Sequence, residues 1–190
     1  VFPKDNELSE TKNINYIKKK FDLHTEQISI NESLNFKDLK NLSNIADEPF
    51  HDANAHVFLK MCNHAKNKNI KTIITGDGGD EIFGGYLRYK SVAENYHKTR
   101  DPEIIILALN YLSVERLKKL DKKFSLDLSE RVKIFNLIKS RHSINKCLEL
   151  DQITYLNPWL HRIDRISMAN NIEVRSPFLD KEMINFGNSL

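Results

Sequence analysis

The 190-residue sequence is poor in the residues that mark several specialised protein classes. Its only cysteines are Cys62 and Cys147, which are far apart, so neither a disulfide framework nor a Cys-x-x-Cys site is indicated. No apolar run approaches the roughly 20 residues of a membrane span, and Val1 begins no signal-peptide pattern. We therefore expect a cytoplasmic protein without a membrane partner.

The chain also lacks a large excess of either positive or negative charge. Lysine and arginine total 29 and aspartate and glutamate 26, which gives a formal net charge of +3. The lysines are dispersed over segments such as 18–20 and 118–123, a pattern typical of solvated helix faces, so we expect no nucleic-acid partner. The hydrophobic content of 40% is that of an ordinary globular protein, and the length suits one domain over residues 1–190.

Apolar spacing predicts an α/β part over residues 1–90 and a helical part over residues 91–190. Short β-branched or alternating runs at residues 25–30 and 70–75 predict strands, the second of them buried. Because helices alternate with these strands, we expect a parallel sheet with right-handed crossovers. No strand is predicted after Tyr89. Helices are predicted at residues 9–20, 34–46, 53–67, 81–90, 102–112, 114–120, 129–140, 143–150 and 155–169.

Glycine is rare, yet five of the six glycines lie between residues 76 and 85. They belong to the segment I-T-G-D-G-G-D-E-I-F-G-G-Y at 74–86, directly after the second predicted strand. In an open parallel sheet, ligands bind at the carboxyl ends of the strands, and glycine lets a ligand approach bare backbone. Asp77, Asp80 and Glu81 add hard oxygen ligands, which suit Mg²⁺ carrying a polyphosphate.

Three other interpretations of this loop are weaker. Counting Asp77 as position one of an EF-hand puts Arg88 at position twelve, where a glutamate is required. A Walker loop is excluded because the chain contains no G-x-x-x-x-G-K-[ST]. A plain acidic turn does not explain the second glycine pair, Gly84 and Gly85. The sequence thus indicates an uncommon acidic glycine loop at a strand end.

Two long segments, in the same order, resemble the asparagine synthetase family. T-G-D-G-G-D-E-I-F-G-G-Y-L-R-Y at 75–89 resembles the family's S-G-[DE]-G-x-D-E-x-F-x-G-Y, with Thr75 at the usual serine. D-R-I-S-M-A-N-N-I-E-V-R-S-P-F-L-D at 164–180 resembles D-[RK]-x-[ST]-M-A-x-x-x-E-x-R-x-P-F-L-D, and D-E-P-F at 47–50 is a weaker match. The resemblance implies a partial parallel sheet of the adenine nucleotide alpha-hydrolase (ATP pyrophosphatase) type, followed by a helical half.

The resemblance also implies a reaction. The expected ligase uses ATP and Mg²⁺ to convert aspartate into asparagine through β-aspartyl-AMP, with ammonia supplied from glutamine by a glutaminase domain of the parent chain. Relatives on the same fold amidate sugar carboxylates or close peptide and β-lactam rings, and these acceptors stay open. A non-catalytic binding module is the alternative from another class. The oligomeric state is also open, with a homodimer as one option.

Site roles follow from the resemblance, residue by residue. Asp80 is expected to bind Mg²⁺, with a helix N-cap as its structural alternative. Asp77 and Glu81 are the expected catalytic carboxylates, and for Asp77 the alternative is a structural carboxylate that accepts hydrogen bonds from glycine amides. The expected cofactor-binding residues are Thr75, Gly76, Gly78 and Gly79.

Other noticeable residues have simpler interpretations. His51 and His56 lack a third ligand at suitable spacing for a metal site, and residues 50–54 are instead expected to face the acceptor substrate. We expect Glu173 and Arg175 to pair within an extended segment. The remaining expectations are core packing for Pro177, Phe178 and Leu179, and for a helix face bearing Tyr155 and Trp159.

Two segments of the family pattern do not occur in these 190 residues. One is the S-G-G-x-D-S loop that cradles the ATP pyrophosphate, and the other is the basic segment that follows P-F-L-D. The glutaminase domain with its leading cysteine does not occur either. We therefore expect an internal fragment of a synthetase domain that has no turnover alone and self-associates through exposed sheet edges.

Overall fold

The computed structural model of the chain is mostly helical and contains one small parallel sheet. It describes residues 11–28, 36–46, 54–95, 101–110, 116, 118–119, 125–140 and 142–190. The chain forms two compact units, each with buried apolar side chains. The first comprises Val1–Lys71 and Arg165–Ile172, and the second comprises Thr72–Asp164 and Glu173–Leu190.

The first unit contains three helices, α1 (Thr11–Phe21), α2 (Phe36–Ala46) and α3 (Asn54–Asn67), which confirm the first three predicted helices. The predicted strand at residues 25–30 was wrong over 25–28, which have no regular structure, while 29–30 lie outside the described residues. Side chains hold this segment, since Glu26 accepts hydrogen bonds from His64 and Lys68. The segments 47–50 and 51–53, with the D-E-P-F match and His51, also lie outside the description.

The buried side of the first unit is supplied mainly by α3. Its inward residues recur at helical spacing, which is what buries one face of an amphipathic helix. Cys62 is fully buried there as a free thiol, and Asn171 takes a positive φ of 56° where the chain leaves its last turn. The buried apolar residues of this unit are Leu42, Ala46, Ala55, Phe58, Leu59, Cys62, Ala65, Ile166 and Ile172.

The sheet belongs to the second unit and pairs β1 (Thr72–Ile74) in parallel with β2 (Glu173–Arg175). Parallel pairing was predicted, but the absence of strands after Tyr89 was wrong. The burial predicted for residues 70–75 was also wrong, because Ile74 of β1 is 73% exposed. Only two strands occur in the described part of the chain, so little sheet surface is available to cover this side chain.

The predicted helix at 81–90 is two helices, α4 (Gly79–Phe83) and α5 (Leu87–Asn95). Gly84, with a φ of 71°, ends α4 by donating its backbone N–H to the carbonyl of Asp80. Gly78 is the N-cap of α4, with a φ of 87°, so Asp80 lies inside the helix and the N-cap alternative for Asp80 was wrong. Two left-handed glycines therefore set the length of α4.

The remaining helices of the second unit build its core. They are α6 (Pro102–Leu109), α7 (Ser129–Leu137), α8 (Ser143–Asp151), a π-helix (Gln152–Leu156), α9 (Asn157–Met168), a 3₁₀ turn (Pro177–Leu179) and α10 (Lys181–Ser189). The predicted helices at 102–112, 129–140, 143–150 and 155–169 are confirmed with shifted bounds, and 114–120 is mostly outside the description.

Most of the apolar residues of this core come from α5, α6, α7 and α8. The core residues are Tyr89, Val92, Ile105, Ile106, Leu109, Phe135, Ile138, Cys147, Leu148 and Leu150.

No helix in the described ranges is long and apolar enough to cross a membrane.

Candidate active site

The glycine loop begins at the carboxyl edge of the two-stranded sheet. Thr75 follows β1 and Ser176 follows β2, and their side-chain oxygens lie 3.0 Å apart in a hydrogen bond. The backbone N–H of Thr75 also donates to the carbonyl of Arg175 at 2.9 Å. The two parallel strand ends are thus joined where loops meet helix N-termini, which is where open α/β sheets bind ligands. The position predicted for the loop is confirmed.

The loop packs closely on one side and is open at its beginning. A β-carbon on Gly78 would overlap Cδ2 of Leu179, and one on Gly79 would lie 3.4 Å from the Phe178 ring. At Gly76 a β-carbon would meet nothing within 4 Å. Backbone near Gly76 is therefore accessible to a ligand, whereas Gly78 is required by its left-handed φ and by Leu179. A β-carbon at Gly79 would make only an ordinary contact.

The segment that supports the loop is only partly buried. Phe178 is 39% exposed, and its ring makes an edge contact with Phe83 at a centroid distance of 6.0 Å. The prediction that Pro177, Phe178 and Leu179 pack into the core was therefore wrong. They cover the glycine loop instead.

Asp77 has two carboxylate oxygens in different environments. Oδ1 accepts a hydrogen bond from the indole Nε1 of Trp159 at 2.9 Å. Oδ2 is buried and has no hydrogen-bond partner among the described residues. An unpaired buried carboxylate oxygen is costly, so such an atom needs a specific reason, and a ligand that donates to it is one.

Asp80 lies in the first turn of α4 with its side chain exposed. Gly85 lies against it, since a β-carbon on Gly85 would overlap Oδ1 of Asp80. The N–H of Gly85 also donates to the Asp80 carbonyl at 3.1 Å. In the part of the chain that the structure describes, no three His, Cys, Asp or Glu side chains group as a metal site. Asp80 thus has an exposed carboxylate without protein co-ligands among the described residues.

Glu81 is turned inward, with an exposed fraction of 3%. The Tyr86 hydroxyl donates to its Oε1 at 2.8 Å, and Gln152 donates to its backbone carbonyl at 3.2 Å. Burial raises the pKa of the Glu81 carboxyl, and the neighbouring charge of Asp80 acts in the same direction. Burial and the bond to Glu81 also raise the pKa of Tyr86.

The buried carboxylate of Asp151 is the centre of a hydrogen-bond network that includes Arg88, which lies next to Tyr86. Its Oδ2 accepts hydrogen bonds from Tyr89 at 2.9 Å and from Arg88 at 3.0 Å. Its Oδ1 accepts one from Arg131 at 3.3 Å. The Arg88 guanidinium also lies 4.0 Å from the centroid of the Tyr86 ring. No motif in the sequence predicted this network.

An apolar cavity of 420 Å³ lies beside the loop. Its walls include Ile82 and Leu179, the side chains that lie nearest to Gly78, together with Leu156 of the π-helix. Such an apolar wall does not suit a charged phosphate.

The structure also locates other residues that stood out in the sequence or that lie near the loop. Glu173 and Arg175 pair as predicted, with Nε to Oε1 at 3.0 Å. Tyr155 and Trp159 were predicted to form a helix face against the core, but Tyr155 is 48% exposed and Trp159 is half-buried and bonded to Asp77. Asp180 was not assigned a role, and its Oδ1 accepts from the Glu182 N–H at 2.9 Å, so it caps α10. His56 is buried in the first unit, 4.0 Å from Asp38.

The donors at the strand ends fit a magnesium nucleotide in their chemistry. Gly76 leaves backbone accessible, Thr75 and Ser176 carry hydroxyls, and Asp80 carries the exposed carboxylate oxygens that Mg²⁺ prefers. The unpartnered Oδ2 of Asp77 is the observation that most directly calls for a ligand.

The chain is similar to known synthetases over nearly its whole length. The asparagine synthase family model matches residues 2–190. Asparagine synthetase [glutamine-hydrolyzing] 2 of Bacillus subtilis is 29% identical over 83% of this chain and 22% of its own length. Putative asparagine synthetase [glutamine-hydrolyzing] 1 of Methanocaldococcus jannaschii is 28% identical over 66% of this chain and 15% of its own.

A third relative is the putative asparagine synthetase [glutamine-hydrolyzing] of Mycobacterium bovis, 27% identical over 72% of this chain and 26% of its own length. No solved structure matches the chain. The chain thus spans about a fifth of the length of the first curated relative that it matches. On the family match and on both motifs, the chain belongs to the asparagine synthase family.

Proposed function

We propose that the protein containing this chain is an ATP-dependent ligase that converts aspartate into asparagine. The acyl intermediate is β-aspartyl-AMP, and the nitrogen comes from glutamine. Family membership supports ATP-dependent amide formation, and the relatives' names support asparagine and glutamine. The structural observation that carries the proposal is the acidic glycine loop at the carboxyl edge of a parallel strand pair, with one Asp77 oxygen buried and unpaired.

In this proposal the loop binds the nucleotide. Backbone at Gly76, Gly78 and Gly79 and the Thr75 hydroxyl line the adenylate side, and Asp80 binds the metal. When bound, Mg²⁺ neutralises charge on the phosphates during the displacement. The absence of a side chain at Gly85 supports this role, because it leaves the space that the Asp80 carboxylate occupies. Positioned charges of this kind supply most of the rate in phosphoryl and acyl transfer.

The chemistry has two displacements. A carboxylate oxygen of aspartate bonds to the α-phosphorus of ATP while the bond to pyrophosphate breaks. Ammonia then bonds to the acyl carbon, and the bond to AMP breaks. The nitrogen must lose a proton, and the Oδ2 of Asp77 is the acceptor that we propose. We propose that the buried Glu81 acts indirectly, because its hydrogen bond to Tyr86 holds both side chains in place next to the loop.

Further parts of the proposal concern the whole protein. A glutaminase domain supplies ammonia, and the protein works in the cytoplasm, with a homodimer as the assembly to test first. The 190 residues alone are inactive in this view, because they do not contain the pyrophosphate loop of the family. Production of AMP by the purified 190-residue chain would contradict that statement.

The test uses the full-length protein with ATP, Mg²⁺, aspartate and glutamine, followed by mass spectrometry for pyrophosphate, AMP and asparagine. We expect all three products, and their loss in Asp80→Ala. Asp127→Asn, an exposed substitution away from the loop, is the matched control and should leave the products unchanged.

Each other result has a defined meaning. ADP in place of AMP excludes adenylate chemistry. Pyrophosphate with a sugar carboxylate or a peptide but not with aspartate keeps the ligase and overturns its acceptor. No pyrophosphate with any carboxylate leaves a non-catalytic module. Equal rates with ammonium and glutamine, without glutamate release, would exclude glutamine as the nitrogen source.

A further inference from the structure

The single tryptophan of the chain is bonded to the loop carboxylate. Trp159 lies on α9, and its indole N–H donates to Oδ1 of Asp77 at 2.9 Å across 82 residues of sequence. The other oxygen of the same carboxylate, Oδ2, is buried without a hydrogen-bond partner among the described residues. One carboxylate thus has one oxygen bonded to the protein and one buried oxygen without a partner.

An indole is suited to this division of roles. It has one N–H donor and no acceptor, so it can hold one carboxylate oxygen without taking a proton from it or exchanging partners. Its large flat ring loses little conformational freedom on ordering, which makes the position of that N–H well defined. A hydrogen bond to an ionised acceptor is also stronger than one between neutral groups.

Packing alone does not account for the arrangement. Trp159 is only half-buried, and a phenylalanine would fill most of the same volume without a polar atom. The buried, unpaired Oδ2 would be a cost with no return if Asp77 were only structural, because a buried acceptor without a partner destabilises the fold. A donor that arrives with the substrate removes that cost in the bound state.

We propose that Trp159 is a positioning residue for the ligase described above. Its N–H fixes the Asp77 carboxylate through Oδ1, so that Oδ2 accepts an N–H bond from the nitrogen nucleophile. The inference rests on the proposed function, and it adds a residue outside the glycine loop to the amide-forming step. Adenylate formation does not need this contact.

The test removes the N–H while keeping the ring. In the full-length protein, β-(benzothiophen-3-yl)alanine introduced at position 159 replaces the N–H by sulfur at nearly constant shape, and Trp159→Phe is the simpler companion. We expect amide formation to fall by roughly 10-fold or more, the effect of losing a hydrogen bond to a charged group. ATP–pyrophosphate exchange with aspartate and the KM for ATP should stay near the wild-type values.

A spectroscopic measurement checks the bond itself. With ¹⁵N-labelled tryptophan, the indole signal of residue 159 is assigned by its loss in Trp159→Phe. We expect Asp77→Asn to move this signal upfield, because a neutral amide accepts more weakly than a carboxylate. His161→Gln, an exposed change on the same helix, is the control and should move neither the signal nor the rates.

The outcomes separate the two proposals. Wild-type protein that makes no pyrophosphate with any carboxylate overturns the proposed function, and this role of Trp159 with it. A rate of amide formation that stays at the wild-type value in the variants without the N–H overturns the Trp159 proposal alone. An indole chemical shift that is unchanged in Asp77→Asn would also overturn the Trp159 proposal alone. An equal loss in exchange and in amide formation would assign Trp159 to the structure of the whole site, which also contradicts the proposal.

Discussion

Gly85 lies against the carboxylate of Asp80, and a β-carbon at position 85 would overlap Oδ1 of that side chain. The absence of a side chain at position 85 leaves room for the Asp80 carboxylate, which connects the second glycine pair of the loop to the acidic residue that precedes it. The pair Gly84 and Gly85 therefore has two separate roles. Gly84 ends α4 with a positive φ, and Gly85 makes room for Asp80.

The contact predicts that Gly85→Ala weakens metal use. The added methyl group must displace the Asp80 carboxylate, and disturbing the supports of a metal ligand typically costs about 10–100-fold in affinity or activity. We expect the Mg²⁺ concentration for half-maximal pyrophosphate release to rise by that factor in the full-length protein. Adding Gly85→Ala to Asp80→Asn should have little further effect, because both changes act on the same carboxylate. An unchanged Mg²⁺ dependence would contradict the assignment of Asp80.

The first glycines of the loop predict a contrast in stability. Gly78 combines a φ of 87° with a β-carbon position that overlaps Leu179, whereas Gly76 has open space. Gly78→Ala should cost about 2 kcal/mol or more in the free energy of unfolding, from left-handed strain and overpacking. Gly76→Ala should change it by less than about 0.5 kcal/mol. Urea unfolding of both variants checks this, and equal effects would contradict the loop geometry.

The helices were largely predictable from sequence because apolar spacing is a local signal. The segments of α2, α3 and α9 all show it, and each helix forms within a few residues of its predicted bounds. Strand β2 was not predictable in the same way. Its sequence Glu-Val-Arg has one apolar residue, and it becomes a strand through parallel hydrogen bonds to β1, about a hundred residues earlier. The T-E-Q-I-S-I run alternates better, yet its described residues form no ladder.

The site residues likewise differ in whether local sequence or distant contacts determine their position. The glycine loop could be predicted as a ligand loop because its residues are contiguous and their types suit phosphate and magnesium. Trp159 and Ser176 could not, because they reach the loop from 82 and 101 residues away in the chain. A tryptophan at helical spacing from Tyr155 is most simply a packing residue, and only the fold shows that its N–H meets Asp77.

The buried carboxylate of Asp151 predicts a large loss of stability on truncation. Asp151→Ala leaves the half-buried Arg88 and Arg131 guanidiniums without their shared carboxylate, and breaking a buried pair typically costs about 3–5 kcal/mol. Tyr89→Phe removes one hydrogen bond to an oxygen of the same carboxylate and should cost about 1.5 kcal/mol. Guanidinium unfolding of the two variants gives both values. A cost for Asp151→Ala as small as that for Tyr89→Phe would show that the arginines find other partners.

An exposed carboxylate in the first unit predicts a pH dependence with a definite sign. Hydrogen bonds from Lys68 and His64 lower the pKa of Glu26 from 4.5 to about 2. The folded chain therefore binds this proton less tightly than the unfolded chain, so the contribution of Glu26 to stability is complete above about 4.5 and is lost as the pH falls toward 2.

The stability difference between wild type and Glu26→Gln should accordingly shrink as the pH is lowered through that window. Carboxyl ¹³C chemical shifts give the pKa directly, and Lys68→Met should raise it toward 4.5, because the bond from Lys68 is its largest cause. Lys66→Met, at an exposed lysine of the same helix end, is the matched control and should leave the pKa where it is. A Glu26 carboxyl that titrates near 4.5 in the folded wild-type protein would show that this cluster does not form in solution.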